Sequence, residues 1–220
     1  AFPLDGIVEL LTDIRDAGRT YLAIMTGRPL SELLALLGDL DIPVSGSQGS
    51  EFMFPDGTTQ THLPSDVQEE RLTRALSEAL EIAPKRRVER KVASVAVHTR
   101  AMKPGEARAL ADRLCAAWSG DADLHDLECR RFSGGVELRL KDIDKGTALK
   151  ILLDGRNDGA LCVYLGDDNT DEDAFEVLRD KGVGIKVGHR GEETKALGKL
   201  ADVKAVREFL RHWLVVTTGR

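Results

Sequence analysis

The sequence lacks the features that mark several large protein classes. Its three cysteines, Cys115, Cys129 and Cys162, are odd in number and show neither a CxxC pair nor a spacing typical of metal ligands. We therefore expect reduced thiols in a cytoplasmic protein. No apolar run approaches the roughly 18 residues of a membrane span, and the sequence shows no signal-peptide pattern, internal repeat or low-complexity tract. These absences favour a globular protein without a membrane partner.

The sequence also has no excess of basic over acidic residues. The 31 Lys and Arg residues are outnumbered by 37 Asp and Glu residues, for a formal net charge of −6. A nucleic-acid backbone requires a basic surface, so we expect no nucleic-acid partner. A small phosphorylated ligand needs only a local cationic pocket and stays possible. The 220 residues, 42% of them hydrophobic, suit one domain with an insert or two small domains.

One stretch combines a predicted strand with a dense group of carboxylates. Residues 161–165 form a short apolar run that ends at Gly166, which is typical of a strand buried on both faces in a parallel sheet. Five acids follow within seven residues, and a helical pattern begins after them. In open α/β sheets, ligands bind at the carboxyl ends of the strands. The stretch therefore predicts a binding site.

Two interpretations of these acids differ in what they explain. Thr170 can cap the helix, and Asp171, Glu172 and Asp173 then occupy its first turn, where the helix dipole favours negative charge. This explanation leaves out Asp167 and Asp168, whose like charges repel unless a cation neutralises them. Mg²⁺ typically binds one or two carboxylates together with substrate phosphate oxygens. We predict that Asp167 and Asp168 hold Mg²⁺.

A second strand end is predicted at Thr26. Residues 21–25 form a continuous apolar run, and Pro29 suits the first turn of the helix that follows. A hydroxyl group beside the free N–H groups of a helix N-terminus is suited to phosphate binding. The alternative is that Thr26 only caps the helix, and this segment alone does not decide between the two.

Lys145 lies at an unusual place for a cation. Asp144 can cap the predicted helix, which puts Lys145 at its first position, where a positive charge opposes the helix dipole by up to about 1 kcal/mol. Because anions bind at helix N-termini, a lysine there is a candidate for phosphate binding. The alternative is an ordinary solvated lysine.

The pattern between residues 64 and 141 differs from the rest of the chain. It reads as helix, strands, helix, strands, which predicts an α+β insert. Because side chains alternate along a strand, His98 and Arg100 are predicted to share one face, as are Glu137 and Arg139. Either this is an ordinary solvated face, or it closes over a polar ligand.

Taken together, these motifs resemble a known family. Thr26, Lys145 and the acidic stretch resemble, in order, motifs II, III and IV of the haloacid-dehalogenase phosphatase superfamily. Within that superfamily, the sequence resembles the trehalose-6-phosphate phosphatases in particular. The residues that carry this resemblance are 26–28 (TGR), 46–51 (GSQGSE), 97–100 (VHTR), 136–139 (VELR), 144–148 (DKGTA) and 166–175 (GDDNTDEDAF). Gln48, Thr99 and Leu140 depart from the usual family residues near the expected sugar site.

The resemblance implies a fold and an activity. The expected fold is α/β: a Rossmann-like haloacid-dehalogenase core with a parallel sheet in residues 1–62 and 142–220, and an inserted α+β cap in residues 63–141. The expected activity is Mg²⁺-dependent hydrolysis of trehalose 6-phosphate by a monomer. The implied residues are Thr26, Lys145 and Asp171 for catalysis; Asp167 and Asp168 for the metal; and Gly27, Arg28, Glu51, Lys91, His98, Arg100, Glu137 and Arg139 for the substrate.

One family motif does not occur in the sequence. The superfamily's nucleophile motif, Asp-x-Asp-Gly-Thr after an apolar strand, is not matched by Asp5-Gly6, nor by Asp56-Gly57-Thr58, which has Phe54 in the nucleophile position. We expect the motif to precede residue 1. The alternatives are a catalytically inactive relative that acts as a regulatory or binding subunit, and a related phosphatase for another sugar phosphate.

Overall fold

A computed structural model describes residues 5–120, 122–132, 134–155, 159–188 and 193–219. Within these ranges the helices, in chain order, are α1 (Ile7–Asp16), α2 (Leu30–Leu37), α3 (Asp66–Ile82), α4 (Pro104–Ser119), α5 (Lys145–Leu153), α6 (Glu172–Leu178) and α7 (Val203–Thr218). The strands are β1 (Ile24–Met25), β2 (Val44–Gly46), β3 (Glu51–Met53), β4 (Thr59–Thr61), β5 (Val88–Lys91), β6 (Ser94–His98), β7 (Leu127–Phe132), β8 (Gly135–Leu140), β9 (Cys162–Gly166), β10 (Gly182–Val187) and β11 (Gly198–Leu200). The chain forms two compact units, residues 1–60 with 145–220, and residues 61–144.

The first unit contains two sheets. One has the strand order β1-β2-β3-β4, with β1 parallel and β3 antiparallel to β2. The other has the order β11-β10-β9 and is entirely parallel. The predicted α/β fold with a parallel sheet is confirmed.

Helix α5 connects the packing around the two sheets. Its residues Ala148 and Leu152 pack in one apolar cluster with Phe52 of β3, and Leu149 packs in another with Ala174 and Leu178 of α6. Met25 of β1 contacts both clusters. The helix also contacts two short 3-10 turns, Ser47–Gly49 and Asn169–Asp171. Apolar packing therefore gathers the loops after β1, β2 and β9 around one helix.

Strand β9 corrects one expectation. Residues 162–165 were predicted to be buried on both faces, but they are only half-buried, and Leu161 is exposed. The reason is that β9 is the last strand of its sheet, as β1 is of the other; neither strand pairs along its outer edge with any part of the chain that the structure describes. An apolar strand that ends a sheet stays partly accessible.

The cap of the acidic turn is a second correction. Thr170 was predicted to cap the helix, but Asp171 occupies the N-cap position of α6 and no side chain caps that helix. Asp168 caps the preceding turn, Asn169–Asp171, and its carboxylate accepts a hydrogen bond from the N–H of Asn169 at 2.7 Å. The hydroxyl of Thr170 is buried and has no hydrogen-bond partner in the described residues. The helix α6 begins at Glu172, directly after this turn.

The second unit is an α+β structure with its own core. Helices α3 and α4 pack against an antiparallel sheet with the order β5-β6-β8-β7. Leu72, Leu114 and Trp118 of the helices lie with Val95 and Leu138 of the strands in one fully buried cluster. Ser65 begins α3 with a capping box that pairs it with Gln68. The unit is thus built to fold around its own apolar centre.

Two further features bear on the class of protein. Over the ranges that the structure covers, no helix has both the length and the apolar character needed to cross a membrane. The three cysteines are free. Cys115 of α4 and Cys129 of β7 are neighbours, with their sulfur atoms 2.6 Å apart.

Candidate active site

The side chain of Asp171 is the centre of the acidic turn. Its Oδ1 accepts hydrogen bonds from Lys145 Nζ and from the Tyr164 hydroxyl, each at 2.6 Å, and its Oδ2 accepts one from the N–H of Asp168 at 2.7 Å. The side chains of Asp171 and Lys145 are only 2% and 10% exposed. A buried carboxylate needs such partners, because burial without them is costly. The structure thus brings Asp171 and Lys145, 26 residues apart in sequence, into one ion pair.

Tyr164 is a site residue that the sequence did not indicate. It lies within the apolar run of β9, where an aromatic residue is expected to serve only packing. Burial raises the pKa of its hydroxyl well above the ordinary value, and the adjacent Asp171 carboxylate raises it further. The hydroxyl therefore stays protonated and donates to Asp171.

Gly166 lets Asp171 reach this position. A Cβ atom added at Gly166 would lie 2.3 Å from Cγ and 2.6 Å from Oδ2 of Asp171. No side chain fits there unless the Asp171 carboxylate leaves its three donors.

Replacing Gly166 with alanine is expected to destabilise the protein by about 1–3 kcal/mol, as overpacking of a filled interior does. The measurement is the unfolding midpoint in a denaturant titration. Gly105 provides the matched control, because a Cβ atom there meets nothing within 4 Å and the residue lies in α4. Gly105→Ala should leave stability unchanged or raise it by less than about 1 kcal/mol. Equal midpoints for Gly166→Ala and the wild type would contradict the close approach.

Asp167 and Asp168 differ in their surroundings. Asp167 is exposed at the carboxyl end of β9, and its side chain makes no hydrogen bond or ion pair with the described residues. Asp168 is half-buried and caps the turn. No group of three His, Cys, Asp or Glu side chains within the described ranges forms a ready-made metal site. Two carboxylates with an open side nevertheless suit Mg²⁺, which takes few protein ligands and completes its shell with water and phosphate oxygens.

Thr26 lies in a tightly connected corner after β1. Its Oγ1 accepts a hydrogen bond from the N–H of Arg28 at 3.2 Å, and its carbonyl oxygen accepts one from the N–H of Gln48 at 3.0 Å. The side-chain amide of Gln48 covers Gly27 so closely that a Cβ atom there would lie 2.5 Å from Nε2. Since α5 contacts the turn of Gln48, the Thr26 corner and the start of α5 belong to one region of this unit.

The remaining predicted residues of the first unit have structural partners. Glu51 Oε2 accepts hydrogen bonds from the N–H of Leu30 at 3.3 Å and from the Ser47 hydroxyl at 2.5 Å, so Glu51 caps α2 from β3. This engagement favours pairing within the core over sugar binding as the role of Glu51. The exposed Arg28 side chain, which precedes α2, pairs with Glu32 of that helix at 3.2 Å.

Polar side chains share one face of the sheet in the second unit. Residues directly opposite in neighbouring strands point to the same side, and the register pairs Lys91 with Ser94 and Ser94 with Arg139. The buried Glu137, next but one to Arg139, accepts hydrogen bonds from the Ser94 hydroxyl at 2.5 Å and from Lys91 Nζ at 3.3 Å. The sheet therefore brings together Lys91, Glu137 and Arg139.

Arg139 and His98 have further partners on this face, whereas Arg100 lies outside it. Arg139 donates from Nε and Nη2 to Glu128 at 2.9 and 2.7 Å. His98 contacts Glu89 at 2.7 Å through Nε2 and is paired in register with Gly135. Arg100 departs from the expectation, because β6 ends at His98 and Arg100 follows in an exposed turn. It therefore does not share the strand face.

With the geometry established, comparison with known proteins identifies the family. A family model described as trehalose-phosphatase matches residues 1–204. The chain belongs to the trehalose-phosphatase family. The predicted family resemblance is thereby confirmed.

Individual relatives agree with this membership. The chain is 34% identical to a trehalose-phosphate phosphatase from Mycolicibacterium paratuberculosis over 91% of its own length and 52% of the relative's. It thus spans about half the length of this curated relative. The C-terminal domain of a Candida albicans trehalose-6-phosphate phosphatase shares the fold with a TM-score of 0.80 at 22% identity, covering 100% of this chain and 85% of that one. A haloacid dehalogenase-like hydrolase from Bacillus subtilis has a TM-score of 0.65 at 17% identity, with 91% of each chain covered.

Proposed function

We propose that this member of the trehalose-phosphatase family is the catalytic part of a Mg²⁺-dependent phosphatase that hydrolyses trehalose 6-phosphate to trehalose and phosphate. The observation that carries the proposal is the buried Lys145–Asp171 pair beside the exposed Asp167. A structural helix start would not favour a lysine at its first position, whereas an anion site would. The names of the relatives supply the substrate.

The positions of the candidate side chains suggest what each of them does in the reaction. Asp167 and Asp168 would hold Mg²⁺, which when bound supplies positive charge against the developing negative charge of the phosphoryl group. Lys145 has further N–H donors besides the one directed at Asp171 and would donate them to phosphoryl oxygens. Asp171 orients Lys145. Thr26 Oγ1 and the N–H of Gly27, in the loop after β1, would bind the same phosphoryl group.

The attacking carboxylate is proposed to come from a segment ahead of residue 1. The outer edges of β1 and β9 pair with no described strand, and both strands share apolar clusters with α5, so these edges would accept a strand of such a segment. Its aspartate would bond to phosphorus while the sugar oxygen leaves, protonated by a second aspartic acid. Water, deprotonated by that second residue, would then release phosphate from the aspartyl-phosphate.

The second unit is proposed to act as the cap that recognises the sugar. Its polar sheet face carries Lys91, His98, Glu137 and Arg139, whose charged groups suit sugar hydroxyls through charge-assisted hydrogen bonds. Arg100, in the exposed turn after β6, is proposed as an additional contact at the rim. A cap that closes over the substrate also excludes water.

The test is phosphate release by the full-length protein from a panel of sugar phosphates. We expect trehalose 6-phosphate to have the highest kcat/KM, with activity lost in a chelator and restored by Mg²⁺. Preference for another sugar phosphate would overturn the substrate assignment. No hydrolysis of any panel member would instead favour the inactive regulatory subunit.

A further inference from the structure

Lys186 is a buried cation with a contact to the acidic turn. The residue lies in β10, is 5% exposed, and is surrounded in sequence by the apolar Ile185 and Val187. Its Nζ donates to the main-chain carbonyl oxygen of Asp168 at 3.0 Å and to Glu172 Oε1 at 3.1 Å. A lysine inside a strand therefore reaches the main chain of a proposed metal ligand.

Glu172 anchors this lysine firmly. Its Oε1 also accepts a hydrogen bond from the Thr194 hydroxyl at 2.9 Å, and its Oε2 accepts one from the N–H of Lys195 at 2.8 Å. Lys186 thus bridges a carboxylate held by two further donors and the carbonyl of Asp168. The ammonium group has little freedom to move independently of the turn.

The main chain at Asp168 is consequently held from two directions. Its N–H donates to the buried Asp171 carboxylate at 2.7 Å, and its carbonyl oxygen accepts from Lys186 at 3.0 Å. Asp167, the preceding residue, has no side-chain partner among the described residues that would orient its carboxylate. The direction of that carboxylate therefore depends on the main chain that Lys186 and Asp171 hold in place.

We propose that Lys186 is a positioning residue for the divalent cation held by Asp167 and Asp168, an inference that rests on the proposed function. Mg²⁺ requires close to octahedral geometry at short ligand distances, so small rotations of the turn weaken its binding. Groups that orient metal ligands from outside typically affect metal affinity by about 10–100-fold. A buried Lys–Glu pair adds little stability over an uncharged pair, so holding the turn is the more specific role for Lys186.

Electrostatics and positioning predict opposite effects of removing this lysine. Lys186→Met deletes a positive charge near the cation site, and the loss of its Coulomb repulsion alone would strengthen cation binding. Loss of the bond to the Asp168 carbonyl would weaken it. A weaker affinity in the variant therefore reports geometry rather than charge.

The experiment measures Mn²⁺ binding to the full-length protein by electron paramagnetic resonance, alongside phosphate release and thermal unfolding. We expect Lys186→Met to weaken Mn²⁺ binding by about 10–100-fold, while kcat at saturating Mg²⁺ falls much less. The double variant Lys186→Met/Glu172→Gln leaves no unpaired charge. Its amide oxygen can still accept from the N–H of Lys195, and its amide NH2 can donate to the hydroxyl oxygen of Thr194. It should regain thermal stability but not Mn²⁺ affinity.

Lys195→Met is the matched control. Lys195 lies outside the helices, and its Nζ pairs with Glu176 of α6 at 3.1 Å, with both side chains exposed. Only its main-chain N–H bonds to Glu172, and the substitution leaves that group in place. The same substitution there should leave Mn²⁺ affinity within about twofold of the wild type, as expected for a surface ion pair.

The outcomes separate this inference from the proposed function. Wild-type Mn²⁺ affinity in Lys186→Met, or recovered affinity in the double variant, overturns the positioning role even if trehalose 6-phosphate is hydrolysed. Weakened Mn²⁺ binding in both variants supports it even if trehalose 6-phosphate is not the substrate. A wild-type protein that binds no Mn²⁺ overturns both.

Discussion

Replacing Asp167 with alanine is expected to reduce the rate of phosphate release by about a hundredfold to a thousandfold, without loss of stability. The carboxylate is exposed and makes no hydrogen bond or ion pair with the described residues, so its removal should change the free energy of unfolding by less than about 0.5 kcal/mol. The cation that it holds is expected to offset charge in the transition state, and loss of one such stabilising group has an effect of this size. The measurement is kcat at saturating Mg²⁺, with an unfolding midpoint for the same sample.

Asp180→Ala is the control for this experiment. Asp180 is exposed beyond the end of α6, and its removal changes the net charge equally. Its activity and stability should match those of the wild type. Turnover near the wild-type rate in Asp167→Ala would place the cation elsewhere in the protein.

Replacing Lys145 with methionine is expected to remove both stability and activity. Asp171, whose side chain is 2% exposed, would keep the Tyr164 hydroxyl and the N–H of Asp168 but lose the one cationic partner it has among the described residues, at 2.6 Å. Breaking a buried ion pair from one side costs about 3–5 kcal/mol. Phosphate binding would also lose its cation, so kcat/KM should fall by about a hundredfold or more.

A double variant separates these two losses. Lys145→Met/Asp171→Asn removes the stranded carboxylate, so it should recover much of the stability while staying inactive. Lys150→Met serves as the control, because Lys150 is exposed on the same helix. Denaturant titration gives the stability and phosphate release gives the activity. Full activity of the stable double variant would contradict a role for Lys145 in binding the phosphoryl group.

Local sequence patterns were sufficient to predict the family, the α/β class and the candidate residues of the acidic turn. Each of these rests on neighbouring residues: an apolar run followed by glycine and carboxylates at β9, or a lysine at the first position of α5. Such patterns depend on hydrogen bonding and burial within one element, which the sequence records directly. The family model, which matches residues 1–204, agrees with the predicted family.

Only the tertiary structure decided which of these residues meet. It brought Lys145 and Tyr164 to the same oxygen of Asp171, and Lys186 to the carbonyl of Asp168. It also showed that β9 pairs with no described strand along its outer edge and is half-buried, and that Asp171, not Thr170, occupies the N-cap position of α6. Strand order and the packing of α5 between distant segments determine these contacts. Because they depend on which elements become neighbours in space, no local pattern of residues contains them.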